Sequence, residues 1–370
     1  MALTDGIENK LKNIADAIRL KTNKMEKLTP EQMASEIENL DKNNPLVNAI
    51  ENSTIFSDTD KQNLKELALN TASNADDIVY YTTNLEEHHG IIIVTDKSNL
   101  TPYDNCFLDC DILVLDYKGG LNSSNAGCFN SNCKYIYLLS DLSLSRGGGA
   151  SCFSNTNLIK IIQNGHKITL TYNDYFSMVE MFRDCYNLEE LPEFTLSDNY
   201  IDGYSYYVFS KCKKLKKITS KNIPHLKSSY SSAGESLCPY CFSLEIFELY
   251  TTINRGTVTF RYCQHLHTIG ELDLLNCTGI SSMFTYCFSL VNVSMLNWRQ
   301  YNLSFADSPN LSIDSINRLI ENCDKDGGTQ VARTLTLHAT AGARWADETQ
   351  NPRYTELLTK ANQCLIEISY

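Results

Sequence analysis

The residues best able to do chemistry in this chain are its 14 cysteines, since a thiolate can bind metal, attack an electrophile or cross-link. Their one C-x-x-C, "CPYC" from Cys238 to Cys241, has the spacing of half a structural zinc site, and no second pair stands at a matching distance. "EEHHG" at 86–90 sets His88 and His89 beside carboxylates. Adjacent side chains point in different directions on a helix or a strand, so a solvated loop is expected rather than a shared metal. "SRGGGAS" at 145–151 is rich in glycine but lacks the Lys-Ser/Thr of a phosphate loop, which leaves a connecting turn. The chain has no nucleophile elbow, H-E-x-x-H or kinase signature. The sequence therefore predicts no enzyme, with no catalytic residue, cofactor or metal.

The cysteines belong instead to a repeat, F-x-x-C-x-x-L-x-x-(I/L/V). It reads "MFRDCYNLEEL" (Phe182, Cys185, Leu188, Leu191), "FSKCKKLKKI" (Phe209, Cys212, Leu215), "FRYCQHLHTI" (Phe260, Cys263, Leu266) and "FTYCFSLVNV" (Phe284, Cys287, Leu290). "CPYCFSLEIF" carries Cys238 in the Phe position, and "FADSPNLSI" carries Ser308 in the Cys position. More worn copies begin at Phe107, Phe129 and Phe153. Nine anchors at 107, 129, 153, 182, 209, 238, 260, 284 and 305 lie 21 to 29 residues apart, the range of leucine-rich repeats.

Apolar residues at every third position suit a tight 3₁₀-like or helical turn. The Leu-x-x-Ile end then runs into a short strand. One such unit cannot bury its own apolar face, whereas a stack of units forms one continuous core. At about 4.8 Å per rung, nine rungs would span roughly 40 Å. Phe182, Cys185 and Leu188 should point inward with their counterparts, and Asp184, Glu189 and Glu190 outward. His265 and His267 flank Leu266 and should also face outward. Cys106, Cys128 and Cys152 precede the repeat Phe, where other copies carry Met181, Val208 and Met283. A position that exchanges Cys for Met and Val is a packing position. Stacked cysteines would come within disulfide range, but reduced thiols are expected in a chain that reads as cytosolic.

This array, over roughly residues 105 to 317, resembles the BspA-like leucine-rich repeats, whose consensus is built on AF-x-x-C-x-x-L-x-x-I. The resemblance implies an α/β repeat protein, a leucine-rich-repeat solenoid. Its function is implied only as adhesion or interaction, because fold alone does not fix function.

Four parts follow. Residues 1–44 form an N-terminal helical attachment or oligomerisation segment. Ile7, Leu11, Ile14 and Ile18 are spaced as one helix face. Thr29, Pro30 and Gln32 mark a second helix start with a capping box, and Met33 and Ile37 lie on its apolar face. Such a hairpin is too small to stand without a partner surface. Residues 45–104 are a linker and N-terminal cap, in which "SDTDKQNLKELALN" reads as a helix capped by Ser57 and "GIIIVT" as a strand. Residues 105–311 are the solenoid. Residues 312–370 are a C-terminal α/β cap with a helix from "LSIDSINRLIENC", a strand from "ARTLTLHAT", a helix from "NPRYTELLTKANQ" and a last strand, "CLIEIS". The segment "IADAIRLKTNKMEKLTPEQMASEIENL" resembles a motif of bacteriophage and prophage virion and tail proteins, with Asn23 in place of the usual Gly. The closing LTL-x-x-T strand and helix resemble the end of the same repeat proteins.

Composition narrows the partners. A net charge of −12, from 44 acidic and 32 basic residues, argues against general nucleic-acid binding and against an electrostatic membrane anchor. No run approaches the 18 apolar residues of a spanning helix, so no membrane insertion is expected. The first ten residues are charged and hold no signal-peptide core. The longer inserts, "SDNYIDGYSYY" and "KSSYSSAGESLCPY", combine Tyr with Ser and Gly. Tyrosine gives large contact area at low entropy cost, and small polar residues adapt. Tyr200, Tyr204, Tyr206, Tyr207, Tyr230 and Tyr240 are therefore the candidate partner-binding residues.

The expected function is a non-enzymatic phage tail fibre or baseplate-associated protein that presents a host-recognition, receptor-binding surface. The resemblance implies attachment to other virion proteins through the N-terminus and a homo-oligomer, a trimer first. The solenoid would bind a host cell-surface glycan or protein. The expected location is the virion tail, assembled in the host cytoplasm. The alternatives are a bacterial surface or secreted adhesin, and a tail-borne glycan-degrading enzyme with two carboxylates facing across a cleft.

Overall fold

The computed structural model describes residues 44–71, 77–81, 87–96, 98, 109–121, 132–145, 150–154, 157–171, 176–196, 200–201, 203–223, 225–226, 231–298, 300–323 and 331–370. The expected attachment face (Ile7, Leu11, Ile14, Ile18, Met33, Ile37) lies outside them. So do Cys106, Phe107, Cys128, Phe129 and Tyr230.

Short parallel strands dominate, and the described helices stand at the two ends. Ile78–Tyr80, His89–Thr95, Cys110–Asp116, Tyr135–Leu138 and Lys160–Ile162 pair in that order, all parallel. Ile92, Val94, Leu113, Leu115 and Ile136 face the main core. The alternate residues Ile91, Ile93, Ile112, Val114 and Tyr137 face two helices, Pro45–Asn52 and Asp58–Ala68, through Leu46, Val47, Ile50 and Leu64. Burial on both faces is why these strands read as unbroken apolar runs. Asn44 and Ser57 cap the helices by accepting the Val47 and Asp60 N–H groups, which satisfies donors a helix start leaves unpaired. Among the described residues parallel pairing begins at Ile78, so the two strands of the 45–104 segment, which lack the Phe-Cys frame, join the same sheet as Cys110–Asp116. The eight-residue helix Pro45–Asn52 falls in a stretch that reads as linker.

The strand ladder skips the "LEELPEF" rung. Glu189 N–H reaches the Ile159 carbonyl at 3.2 Å, but Pro192 has no N–H to extend the pairing. Parallel pairing resumes through Lys217–Thr219, Ile246–Glu248, Thr268–Asp273 and Asn292–Leu296. A second ladder runs beside it. Leu142–Ser145, Ile168–Thr171 and Phe194–Leu196 form one part. Tyr200–Ile201, His225–Leu226 and Thr251–Thr252 form the other and join Thr268–Asp273. Both ladders meet at Gly270, where a Cβ would lie 2.9 Å from the Leu249 carbonyl.

The Phe-Cys-Leu turns do have period three: Cys185 N–H donates to Phe182 O at 3.2 Å and Leu188 N–H to Cys185 O at 3.2 Å. They are not 3₁₀ helices, because two residues per turn are left-handed. Two residues after the anchor, Asp184, Lys211, Tyr240, Tyr262 and Tyr286 have φ of 62 to 66°. Two residues before it, Glu180, Tyr207, Ser236, Val258 and Ser282 have φ of 48 to 57°. These reversals turn alternate N–H groups toward the next rung. Phe182 N–H bonds Val208 O, Phe209 N–H bonds Leu237 O and Cys238 N–H bonds Thr259 O, each at 2.9 Å. The turns are therefore a third ladder.

Side chains stack along the same direction. Phe153, Phe182 and Phe209 have centroids 5.5 and 6.0 Å apart, and Phe260, Phe284 and Phe305 have centroids 6.0 and 4.8 Å apart. Cys238 fills the gap between the two stacks. At the C-terminus Ser312 caps Ile313–Glu321. Leu303–Phe305, Arg333–Leu337 and Ile366–Ser369 make a further parallel sheet, covered by Ala339–Ala346 and Tyr354–Gln363. Trp345 anchors this end by donating from Nε1 to Asn317 Oδ1 at 2.9 Å.

Candidate functional site

The repeat cysteines lie inside the turns. Cys185, Cys212, Cys241, Cys263 and Cys287 are buried free thiols. Desolvation opposes the thiolate and raises Cys212 and Cys263, whereas at Cys241 desolvation is outweighed by hydrogen bonds with Cys212 and Cys238, which lower the thiol to about 5. Each sulfur donates to a backbone carbonyl one rung back: Cys185 to Phe153 at 3.1 Å, Cys212 to Phe182 at 3.0 Å, Cys241 to Phe209 at 2.9 Å, Cys287 to Phe260 at 3.1 Å. "CPYC" divides between columns, with Cys238 among the phenyl rings and Cys241 among the thiols. Among the described residues no group of three or more His, Cys, Asp or Glu is placed to hold a metal ion, and no helix is long and apolar enough to cross a membrane.

Of the histidine pair, His88 is exposed outside any strand, as expected, and His89 is not. His88 Nδ1 lies 2.8 Å from Asp109 and its Nε2 3.5 Å from buried Asp111, which Lys134 also meets at 2.8 Å. His89 starts a strand and its Nδ1 lies 2.5 Å from Asp77. The two rings serve different carboxylates, as divergent neighbours must. Burial pulls His88 down, but the Asp109 hydrogen bond and the Asp111 charge outweigh it and leave the imidazole raised.

What the turn ladder exposes is aromatic. Tyr240, Tyr262 and Tyr286 occupy the left-handed position of three successive turns. Their rings stack at 4.9 and 4.4 Å. Phe242 packs edge-on against Tyr240 at 6.3 Å, and Phe288 against Tyr286 at 5.9 Å. Tyr240 and Tyr286 are each 37% exposed and Phe288 is 44% exposed. The ridge continues toward the N-terminus as charge, where Asp184 and Lys211 hold the same position and pair at 2.9 Å. Asp184 is thus half-buried and paired, whereas Glu189 and Glu190 face solvent. His265 and His267 are also exposed.

The six tyrosines read from the inserts divide. Tyr204, Tyr206 and Tyr207 form one edge-to-face cluster with centroids 6.4 and 5.8 Å apart. Arg183 caps it, 5.3 Å above the Tyr207 ring. Tyr240 belongs to the ridge, with Tyr262 and Tyr286, which the sequence reading missed. Tyr200 lies on a strand. The repeat-core residues Phe182, Cys185, Leu188, Phe209, Cys212, Leu215, Phe260, Cys263, Leu266, Phe284, Cys287 and Leu290 are all at most 2% exposed. The ridge had a signal in the sequence: "YC" recurs at 240–241, 262–263 and 286–287, always one residue before the buried thiol.

No family model, curated protein or solved structure matches this chain.

Proposed function

We propose that the chain is a non-enzymatic binding protein, a leucine-rich-repeat solenoid of the BspA-like kind. It presents the Tyr240–Tyr262–Tyr286 ridge to a host cell-surface glycan or protein. Its N-terminal segment attaches it to a phage tail as a fibre or baseplate-associated component. The tail assignment rests on the likeness of "IADAIRLKT…LTPEQMA" to tail-protein motifs.

One observation supports the binding role. A left-handed residue other than Gly, Asn or Asp is strained by about 1–2 kcal/mol, yet three turns in a row carry tyrosine there. Each ring stack returns about 0.5–1.5 kcal/mol, and three strained residues share two stacks. Summed over the three positions, stability alone therefore favours Asn or Asp, although at Tyr262, which makes both stacks, the two effects nearly cancel. Neutral hydroxyls on preordered rings suit recognition of a neutral polar surface.

The test is binding of the full chain to host cells. Tyr240→Ala/Tyr262→Ala/Tyr286→Ala should lower it at least tenfold, and unchanged binding would overturn the ridge as the recognition surface. Deleting residues 1–40 should release the chain from the particle, and retained association would overturn the attachment.

A further inference from the structure

The turn ladder stops one rung short. Val258, Phe260 and Tyr262 donate their N–H groups to Ser281, Met283 and Thr285 carbonyls at 2.9, 3.0 and 2.9 Å. The equivalent donors of the next turn are Ser282, Phe284 and Tyr286. Tyr286 N–H meets the Asp307 carboxylate at 2.8 Å, a side chain standing in for a carbonyl. Ser282 and Phe284 N–H have no acceptor among the described residues, although Phe284 is only 2% exposed. The cause lies in the following rung. Leu303–Phe305 leaves the ladder to pair with Arg333–Leu337, while the Phe305 ring stays stacked on Phe284 at 4.8 Å. The two backbones therefore diverge from a closed end at Phe305. Between them lies a cleft of about 340 Å³, walled by residues 279–285 on one side and 301–304 on the other, none of them charged.

We propose that this cleft is a strand-accepting site. An extended, uncharged peptide segment of a partner chain adds as the missing rung, and two of its carbonyls, two residues apart, accept the Ser282 and Phe284 N–H groups. Phe284 is buried, and a buried N–H left without a partner costs about 1–3 kcal/mol; Ser282 is exposed, so a chain that satisfies both gains chiefly at Phe284. The register is already drawn by the preceding turn, where Ser281 O and Met283 O, two residues apart, accept from Val258 and Phe260. One carboxylate or sugar hydroxyl reaches only one of the two donors, whereas an extended backbone offers carbonyls at the right repeat. The uncharged walls disfavour a charged segment, because burying an unpaired charge is costly.

The readout is amide exchange resolved at single residues in the full chain. Without ligand, Ser282 and Phe284 should exchange at least tenfold faster than Val258 and Phe260. The first probe is acetyl-Gly-Ile-Ser-Ser-Met-Phe-Thr-amide, the sequence that fills this role for the preceding turn, followed by a panel of uncharged heptapeptides. Binding should slow both amides at least tenfold. Gly279→Trp should abolish that protection, since Gly279 lines the cleft and a Cβ there meets nothing within 4 Å, which leaves room for an indole at its wall. Ser304→Trp, on the opposite wall, should do the same. Tyr262→Asn should leave protection intact, which separates this site from the ridge. Slow exchange of both amides without peptide, no protection by any member of the panel, or protection that survives both tryptophans would overturn the proposal.

Discussion

The Cys212 thiol donates to the Phe182 carbonyl at 3.0 Å across one rung, while the Cys185 N–H reaches that carbonyl at 3.2 Å from its own rung. A buried carbonyl with two lone pairs thus receives two donors. The same arrangement recurs at Phe209 and Phe260. The repeat cysteine is more than a small apolar residue: its S–H fastens one rung to the previous one. Where serine replaces it, Ser308 Oγ also donates back, to Cys287 O at 2.9 Å.

The donor, not the volume, should therefore decide which substitutes are tolerated at Cys212. Valine fills the space but leaves the carbonyl with one partner, and the lost hydrogen bond is worth about 1 kcal/mol. Cys212→Ser keeps a donor and should be the milder change. Urea unfolding monitored by circular dichroism should place the serine variant above the valine variant. Equal midpoints would mean that the S–H···O contact contributes nothing.

Burial also fixes the reactivity of the column. A thiol reacts as the thiolate, and Cys212, Cys238 and Cys263 are raised well above the ordinary value by desolvation; Cys241 is lowered by hydrogen bonds with Cys212 and Cys238, but it is fully buried and out of a reagent's reach. In the native protein at pH 8, a disulfide reagent such as dithiobis-nitrobenzoate should leave the repeat cysteines unmodified for hours and titrate them within minutes in denaturant. Rapid native labelling of Cys185 to Cys287, located by peptide mass, would show that the column opens.

Residue spacing made part of this legible. Phe182, Cys185 and Leu188 announce their columns because apolar residues recur at fixed steps through six turns. Local backbone reversal was not legible, since Lys211, Tyr240 and Tyr262 are not the glycines, asparagines or aspartates that signal a left-handed residue. The ridge was missed for the same reason: Tyr262 and Tyr286 sit inside the repeat frame, and tyrosines were sought between frames. The strands from Ile78 and His89 carry no Phe-Cys frame, and it was their apolar runs that marked them as strands of the N-terminal cap. "FADSPNL" keeps the frame while its backbone leaves the turn ladder, so the open edge at Ser282 and Phe284 has no signature in the sequence.

The His88 cluster predicts a pH dependence. The folded imidazole is raised above its ordinary value near 6.5 by Asp109 and Asp111. A raised folded value means that the charged ring stabilises the fold below pH about 6.5 and that this contribution is lost as pH rises through the folded value. Lys134 shares Asp111 at 2.8 Å and keeps part of the site neutralised after His88 loses its proton. The thermal midpoint should fall between pH 6 and 8 in the parent, and His88→Gln should flatten that slope. A slope unchanged in the variant would assign it to other groups.

Tyr262→Asn separates recognition from architecture. Asparagine tolerates the left-handed backbone (φ 66° at Tyr262) far better than tyrosine, which relieves about 1 kcal/mol. It removes two ring stacks, at 4.9 and 4.4 Å, each worth about 0.5–1.5 kcal/mol. The opposing effects nearly cancel, so the unfolding midpoint should move by no more than the equivalent of about 1–2 kcal/mol. Binding should fall much further, because the central ring orders Tyr240 and Tyr286 on either side of it. If the ridge were only a packing device, Tyr262→Asn would leave host-cell binding untouched. If it is the recognition surface, binding falls at least tenfold in a protein that melts almost where the parent does.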